Sequence, residues 1–235
     1  MSESGGDGGK YRQWRFQLPP GATDLIIVRH GESMPASFDQ PAPTLDGQAD
    51  PDLAPEGVEQ AQRIADRLAI AEISAIYVTP LRRTSQTAAP LAARLGLEPE
   101  VVPELREVFL GDWEGAAFRK HTLEVHPLVV EMFDKQRWDV IPGAESTDEF
   151  RDRVRRGVKQ VAAAHPDQHV VLVVHGGVIG VMFALASDAG NFAFIGADNG
   201  SISQLVVSGD RWLVRRFNDT AHLDPSFTLV PHPLT

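Results

Sequence analysis

Four short stretches carry the groups from which chemistry could be built. Arg29 and His30 close the apolar run Leu25-Ile26-Ile27-Val28 and precede Gly31-Glu32. Arg82 and Arg83 end Thr79-Pro80-Leu81-Arg82-Arg83, just after a second apolar run. Glu104 and Glu107 follow Val101-Val102, and His175 ends Val170-Val171-Leu172-Val173-Val174 ahead of Gly176-Gly177. A guanidinium presents a fixed fork of donors matched to phosphate oxygens. It also offsets charge on a phosphoryl group in transfer. An imidazole kept neutral by nearby guanidinium charge can attack phosphorus and split a hard displacement into two easier ones. A protonated carboxyl can give the departing alcohol its proton. The set points to phosphoryl transfer through phosphohistidine.

These groups work together only if the chain delivers them to one place. Residues 24–28, 73–78 and 170–174 are short apolar runs bounded by turn residues, which predicts strands buried on both faces, with a shorter strand at 101–102. Pro55 suits the first turn of a helix whose stripe is Ala61, Ile64, Ala65 and Leu68. A second helix follows Thr79-Pro80, with Pro90 expected to kink it and Gly96 to stop it. Residues 117–137 read as helical. Ser146 and Glu149 form a capping-box pattern for a helix whose core face is Phe150, Val154, Val158 and Val161. The interleaved Arg151, Arg153, Arg155, Arg156 and Lys159 read as its solvated face. Residues 178–186 read as a buried helix, and 201–207 with 212–217 as an antiparallel pair around Gly209-Asp210. This alternation predicts an α/β protein, a three-layer α/β/α sandwich with a mostly parallel central sheet. The carboxyl ends of such strands converge on one crevice, where ligands bind.

Bulk properties narrow the function classes. A net charge of −10 argues against general nucleic-acid binding, which needs a basic footprint, but a local cationic pocket can still take a small anion. With no cysteine there is no disulfide framework and no thiolate nucleophile or metal site. The first ten residues lack a signal-peptide pattern and no apolar run reaches membrane-spanning length, so a cytoplasmic protein without a membrane partner is expected. Residues 1–20 are expected to be disordered or arm-like, with an arm or extra strand at 11–16. Residues 21–220 are expected to form a single domain, and 221–235 a loosely packed tail. Residues 34–52 hold four prolines, four aspartates and no Lys or Arg, which predicts a long loop, functional or mobile.

Four motifs in order carry a resemblance. Arg29-His30-Gly31-Glu32 resembles the signature of the histidine phosphatase superfamily, also called phosphoglycerate mutase-like. Thr79 to Thr87, then Leu105-Arg106-Glu107 through Gly111-Asp112-Trp113-Glu114-Gly115, then Val174-His175-Gly176-Gly177, resemble its second, third and fourth motifs. The order and spacing match over residues 24–219. The resemblance implies that His30 is the nucleophile and that Arg29, Arg83 and His175 bind phosphate, with Gly176 and Ser33 beside them. It implies that Glu107 first donates a proton to the leaving group and then serves as base for water. It also selects Arg83 over Arg82, which becomes a rim residue. No metal and no cofactor are expected, because arginines already supply the cationic clamp.

Plainer readings stand beside these. His30 alone could be a capped polar group, and Glu107 a loop acid paired with Arg106. His175 could open a nucleotide-binding turn, but Gly176-Gly177-Val178-Ile179-Gly180 lacks the dinucleotide-binding glycine spacing. His121, His126, His165, His169 and His222 read as surface or helix-end residues. The chain departs from the family where Ala36, beside Pro35, replaces an asparagine that many members direct at phosphate; Ser33 or Ser37 could supply that donor.

The separation of 68 positions from Glu107 to His175 resembles the shorter phosphatase branch rather than cofactor-dependent mutases. If the acidic 34–52 loop covers the site, it should repel polyanions. The expected activity is therefore phosphomonoester hydrolysis on a small, modestly charged phosphorylated metabolite. The alternatives are a phosphoglycerate mutase-type phosphotransferase and a non-catalytic phosphate-binding module. Dimers are common among relatives, so a homodimer is a further expectation from the resemblance.

Overall fold

Side chains of the central strands alternate between two buried faces and fix the layers. The computed structural model describes residues 13–224. In chain order the elements begin with β1 (Thr23–Arg29), a small hairpin of β2 (Thr44–Leu45) and β3 (Gln48–Ala49), α1 (Pro55–Leu68), β4 (Ile73–Val78), α2 (Arg82–Leu95) and β5 (Glu100–Val101). They continue with α3 (Ala116–Leu123), α4 (Pro127–Lys135), α5 (Thr147–Ala164), β6 (His169–Val174), α6 (Gly176–Ser187), β7 (Ile202–Ser208) and β8 (Arg211–Asp219). The six-stranded sheet has the order β5-β4-β6-β1-β7-β8. Its first four strands are parallel, and β7 and β8 are antiparallel additions at the β1 edge.

Ile26, Val28, Ile76, Val78, Val171 and Val173 face one side and pack on Ile64, Ala65 and Leu68 of α1 and Ala88, Leu91 and Ala92 of α2. Leu25, Ile27, Tyr77, Val170, Leu172 and Val174 face the other and pack on Phe150, Val154, Val158 and Val161 of α5 and Val178, Met182 and Phe183 of α6. Successive strand side chains point to opposite faces, so an uninterrupted apolar run feeds both cores. Each large apolar side chain so buried contributes about 1.5–3 kcal/mol before conformational entropy is subtracted.

β1 and β6 are neighbours, but the helices that follow them, α1 and α6, pack on opposite faces of the sheet. Chains leaving adjacent parallel strands in opposite directions open a crevice at their carboxyl ends. Arg29 pairs with Val174 in the β1–β6 register, which sets His30 beside His175 at that crevice.

Some local expectations change. Residues 117–137 form two helices: Val125 has φ 50° and Pro127 opens α4, and a proline cannot continue a helix that needs its N–H. Ser146 precedes α5 but its side chain makes no capping bond, so the capping box is not formed. The neighbouring Thr147 hydroxyl takes the tie instead, accepting from Trp138 N–H at 2.7 Å and lying 3.0 Å from the Asp139 carboxylate. α2 runs through Pro90 to Leu95 and stops at Gly96, whose φ of 65° suits glycine. Residues 13–18 form no strand, and Phe16 lies under the Arg215 guanidinium. Residues 11 and 12 and the tail beyond 224 lie outside the described residues.

Candidate active site

His30 leaves β1 with its backbone N–H on the Val174 carbonyl at 3.0 Å. Asn199 Nδ2 and the Gly200 N–H donate to the His30 carbonyl at 3.0 and 3.3 Å. The ring is equally fixed. Its Nδ1 lies 2.7 Å from the Gly31 carbonyl, and its Nε2 lies 3.2 Å from Nε of Arg83. A carbonyl can only accept and a guanidinium N–H can only donate, so the two contacts select one tautomer. The proton sits on Nδ1, and the Nε2 lone pair accepts from Arg83 where both residues line the crevice. Burial, followed by the charges of Arg83 and Arg29, holds the His30 pKa well below the ordinary histidine value of 6.5.

His175 is fully buried, with its ring centroid 5.1 Å from that of His30. Its Nε2 lies 2.9 Å from the Thr79 hydroxyl at the end of β4, and its Nδ1 has no protein partner. Burial, then Arg83 and His30, pushes its pKa well below 6.5 as well. Arg83 lies in the first turn of α2, is buried, and donates through Nη1 to the Ala49 carbonyl at 3.1 Å. Arg29 donates to the Ala197 carbonyl. Gly176 opens α6, with the Arg29 guanidinium carbon 3.5 Å from where its Cβ would stand. Arg82 faces outward and pairs with Asp50 at 3.1 Å and Asp52 at 3.2 Å, as a rim residue would.

Two buried neutral histidines make stability depend on pH. The unfolded rings titrate near 6.5, so below that value the unfolded chain binds protons that the folded chain refuses. Their contribution is complete above about pH 6.5 and is lost as pH falls toward the folded pKa values. The slope is about 1.4 kcal/mol per pH unit for each ring. Glu114, whose pKa burial raises, works in the opposite direction as a single group. The urea midpoint is expected to fall between about pH 7 and pH 5.5, and more gently in His175→Gln. A flat midpoint over that range would refute the buried neutral pair.

Glu107 approaches from the irregular segment after β5. Its carboxylate accepts from the Gly177 N–H at 3.0 Å and from its neighbour Val108 N–H at 3.0 Å. Gly177 is required at this approach, because a Cβ there would stand 2.5 Å from a Glu107 carboxylate oxygen. The segment is held from behind by Arg153, which corrects its reading as part of a solvated face. Arg153 forms a two-pronged pair with Glu145, at 2.6 and 2.8 Å. It also donates to the carbonyls of Glu104 at 2.8 Å and Glu107 at 2.9 Å. Gln48 Nε2 adds bonds to the Glu107 and Val108 carbonyls at 3.1 and 3.0 Å. Nothing in the local spacing of α5 separates Arg153 from its exposed neighbours; only the long-range packing of α5 under residues 104–107 does. Arg153 and Glu145 are partly buried, so breaking this multiply bonded pair is expected to cost less than the about 3–5 kcal/mol of a fully buried one. Arg153→Met is therefore expected to lower the chemical-denaturation free energy by about 2 kcal/mol. Loss of under about 0.5 kcal/mol would show that the brace does not operate.

In front of these groups lies a cavity of about 330 Å³, lined by Arg29, His30, Ser33, Arg83, Glu107 and Arg119 together with residues of the 34–52 loop. The loop turns Ala36, Ser37, Phe38, Pro41, Ala42 and Thr44 to the cavity. Its acids point elsewhere: Asp46 pairs with Arg106 at 3.0 Å, and Asp50 and Asp52 pair with Arg82. The expected acidic repulsion is therefore corrected, because Arg106 and Arg82 pair these carboxylates, and the buried Asp50, which also acts on Arg83, adds to the cationic clamp's support instead of opposing a substrate from the cavity wall. Glu114 braces the hairpin, accepting from Ala49 N–H at 2.9 Å and Leu110 N–H at 2.8 Å. Ser33 is buried, and its hydroxyl accepts from Arg119 of α3 at 3.3 Å. Sequence reasoning did not single out Arg119 or Asn199. The signal for the first was faint: Arg119 and Lys120 are the only Lys or Arg between Arg106 and Lys135.

The remaining histidines divide. His126 caps α4 and His165 caps the end of α5, both helix-end positions as expected. His121 instead packs on Trp113, with ring centroids 4.5 Å apart. His222 is partly buried between Arg67 and the Gly200 carbonyl, at 3.1 and 3.0 Å, because residues 220–224 fold back on α1. No group of three or more His, Cys, Asp or Glu among the described residues is arranged to hold a metal ion. No helix among them is long and apolar enough to cross a membrane.

The structure brings the two histidines, two arginines and the carboxyl expected from the motifs together beyond the carboxyl ends of four parallel strands, β1, β4, β5 and β6. A sequence model of the histidine phosphatase superfamily, branch 1, matches residues 25–220. The chain belongs to the histidine phosphatase superfamily. It is 32% identical over 209 residues to the metal-independent phosphoserine phosphatase of Arabidopsis thaliana, covering 86% of this chain and 83% of that protein. It is 31% identical over 205 residues to phosphoglycerate mutase-like protein 4 of the same plant, covering 86% and 87%. Among solved structures it is similar to mycobacterial glucosyl-3-phosphoglycerate phosphatase complexed with VO3. That similarity has a TM-score of 0.70 and 30% identity, and covers 84% of this chain and 99% of that one. This histidine phosphatase is thus similar in sequence and in α/β fold to proteins named for hydrolysis of phosphate esters.

Proposed function

We propose that this histidine phosphatase hydrolyses small phosphomonoesters through a phosphohistidine formed on Nε2 of His30. The supporting observation is the fixed tautomer of His30, neutral with an Nδ1–H that donates to the Gly31 carbonyl and an Nε2 that accepts from Arg83 at the cavity wall. The Nε2 lone pair attacks phosphorus and the ester P–O bond breaks. The Glu107 carboxyl gives its proton to the departing alkoxide. Water then attacks the phosphoryl group, loses a proton to Glu107, and the P–N bond breaks to return free His30. Arg29, Arg83 and the unpartnered Nδ1 of His175 bind the phosphoryl oxygens, with the N-terminus of α6 and its Gly176 adding favourable backbone dipoles. Ser33 lies at the same cavity wall. This assignment takes residues 21–220 as the working domain.

Phosphate release from a panel of phosphomonoesters tests the reading. Release from several esters, with no interconversion of 2- and 3-phosphoglycerate when bisphosphate cofactor is added, is the expected result. Isomerisation without release would instead establish the mutase. Binding of phosphate without any turnover would establish a non-catalytic module. The arginines supply the cationic clamp, so activity is expected to survive exhaustive chelation. Loss on chelation that returns with added metal would overturn this mechanism.

A further inference from the structure

Residues 197–201, just ahead of β7, cradle the first motif. The Ala197 carbonyl accepts from the Arg29 guanidinium, and the Asn199 side chain and the Gly200 N–H donate to the His30 carbonyl. The Gly200 N–H also lies 3.1 Å from the Arg29 carbonyl, and the Ser201 carbonyl accepts from the Arg29 N–H at 3.1 Å. Gly200 has φ 72°, and a Cβ on it would stand 3.1 Å from Leu223 and 3.2 Å from Gln60. The turn is therefore pressed between α1 and residues 220–224.

One side chain ties these three parts together. Nε2 of His222 lies 3.0 Å from the Gly200 carbonyl, and its Nδ1 lies 3.1 Å from Nη1 of Arg67 on α1. A carbonyl only accepts and a guanidinium only donates, so His222 carries its proton on Nε2 and gives that N–H to Gly200. Arg67 is fixed in turn by a two-pronged pair with Asp219 at the end of β8, at 3.0 and 2.5 Å. Arg63 donates to the Leu223 carbonyl at 2.9 Å, and Gln60 accepts from the Glu32 N–H at 2.8 Å. Residues 60, 63 and 67 share one face of α1, which thus clasps both the chain beyond β8 and the first motif.

We propose that His222, outside the cavity, is a positioning residue for the reaction: its bond to the Gly200 carbonyl sets the turn that holds the His30 backbone, and with it the line of attack of the His30 ring. The proposal rests on the phosphatase reading and adds to it. The His30 ring has little freedom of its own, because Nδ1 is bonded to the next carbonyl, so a shift of the backbone carries the ring along. Arg83 and His175 come from α2 and the end of β6, and their side chains bond to Ala49, His30 and Thr79 rather than to this turn. A loosened turn therefore slows attack more than it weakens phosphate binding. Misplacing a reacting group by about 1 Å costs up to about 10²-fold in rate.

His222→Leu in the full chain keeps an apolar body and loses both bonds. Rapid-quench release of p-nitrophenol from p-nitrophenyl phosphate reports phosphorylation of His30, and it is expected to slow about 10-fold while affinity for inorganic phosphate stays within about threefold. His222→Gln keeps an N–H for Gly200 and an oxygen for Arg67, and should recover most of the rate. Arg67→Met removes the other end of the tie and should also slow phosphorylation, with the double variant no slower than the slower single one. Exchange of the Gly200 amide, followed by NMR, should be faster in His222→Leu and needs no turnover. A rate in His222→Leu within about twofold of the parent overturns the proposal. So does a loss of phosphate affinity as large as the loss of rate, or a His222→Gln enzyme as slow as His222→Leu. If His222→Leu fails to fold, Arg67→Met carries the same comparison of rate with affinity. Failure of the phosphatase reading shows separately, as a parent that forms no phosphohistidine while the Gly200 amide still exchanges faster in the variant.

Discussion

His30→Ala is expected to lower kcat by on the order of 10⁴-fold or more for every ester, since it removes the atom that receives the phosphoryl group. The size of the loss follows from the geometry. Nε2 of His30 carries its lone pair at the cavity wall beside Arg83, a phosphate-binding side chain, whereas His175 directs its Nε2 to Thr79 and cannot substitute without breaking that 2.9 Å contact. The two rings are 5.1 Å apart and look alike in sequence, yet their tautomers and partners differ. Phosphate binding should survive in the variant, because Arg29, Arg83 and His175 remain. Arg83 keeps its bond to the Ala49 carbonyl when the His30 ring is gone. Retained affinity for inorganic phosphate alongside lost turnover would separate loss of the nucleophile from collapse of the site. Residual turnover within about tenfold of the parent would contradict the assignment.

Glu107→Gln is expected to give the second large effect, and one that depends on the substrate. An alkoxide leaving group needs a proton as the P–O bond breaks, and a nitrophenolate does not. General acid catalysis is worth about 10²–10⁴-fold where it is needed. The loss of kcat/KM should therefore be about 10²-fold or more for alkyl phosphates and within about tenfold for p-nitrophenyl phosphate. Glutamine is close in shape, so the Val108 N–H bond can persist, but its amide NH₂ cannot accept from Gly177 as a carboxylate oxygen does. A uniform loss across leaving groups would assign Glu107 to positioning rather than proton transfer.

The parts of this protein that rest on local pattern were legible in its sequence. Residues 25–28, 75–78 and 170–174 are buried because apolar side chains and one Tyr run through them unbroken, and the structure places them side by side in β1, β4 and β6; the exposed Ser74 marks a register shift at the start of β4. The reactive groups at their ends follow from that placement. His30 meets His175 through the β1–β6 register, and Arg83 reaches both from the first turn of α2. Motif order then separated Arg83 from Arg82, which local composition could not do.

What rests on contacts between distant segments was not legible. Arg153 looks like Arg151 and Arg155 along the chain, yet it alone meets the carbonyls of Glu104 and Glu107. The 34–52 loop is acidic in composition, but composition does not say which side its acids face. Asp46, Asp50 and Asp52 pair with Arg106 and Arg82, and the loop turns uncharged, mainly apolar residues to the cavity. Arg119 entered the site only when α3 packed beside the first motif. Ser146 had the residue type and spacing of a cap, but the chain leaves the turn at 138–140 with Thr147 in the bonding position.

The central claim is that phosphorus is transferred to Nε2 of His30, and the most direct measurement is to trap that bond. The enzyme would be mixed with a labelled phosphomonoester, quenched in alkali within the first turnover and digested for peptide mapping. The predicted result is an acid-labile, alkali-stable phosphoryl group on the peptide containing His30, absent from His30→Ala and accumulating in Glu107→Gln with a good leaving group. A phosphoryl group mapped to another residue, or turnover with no phosphoenzyme at any time, would contradict it.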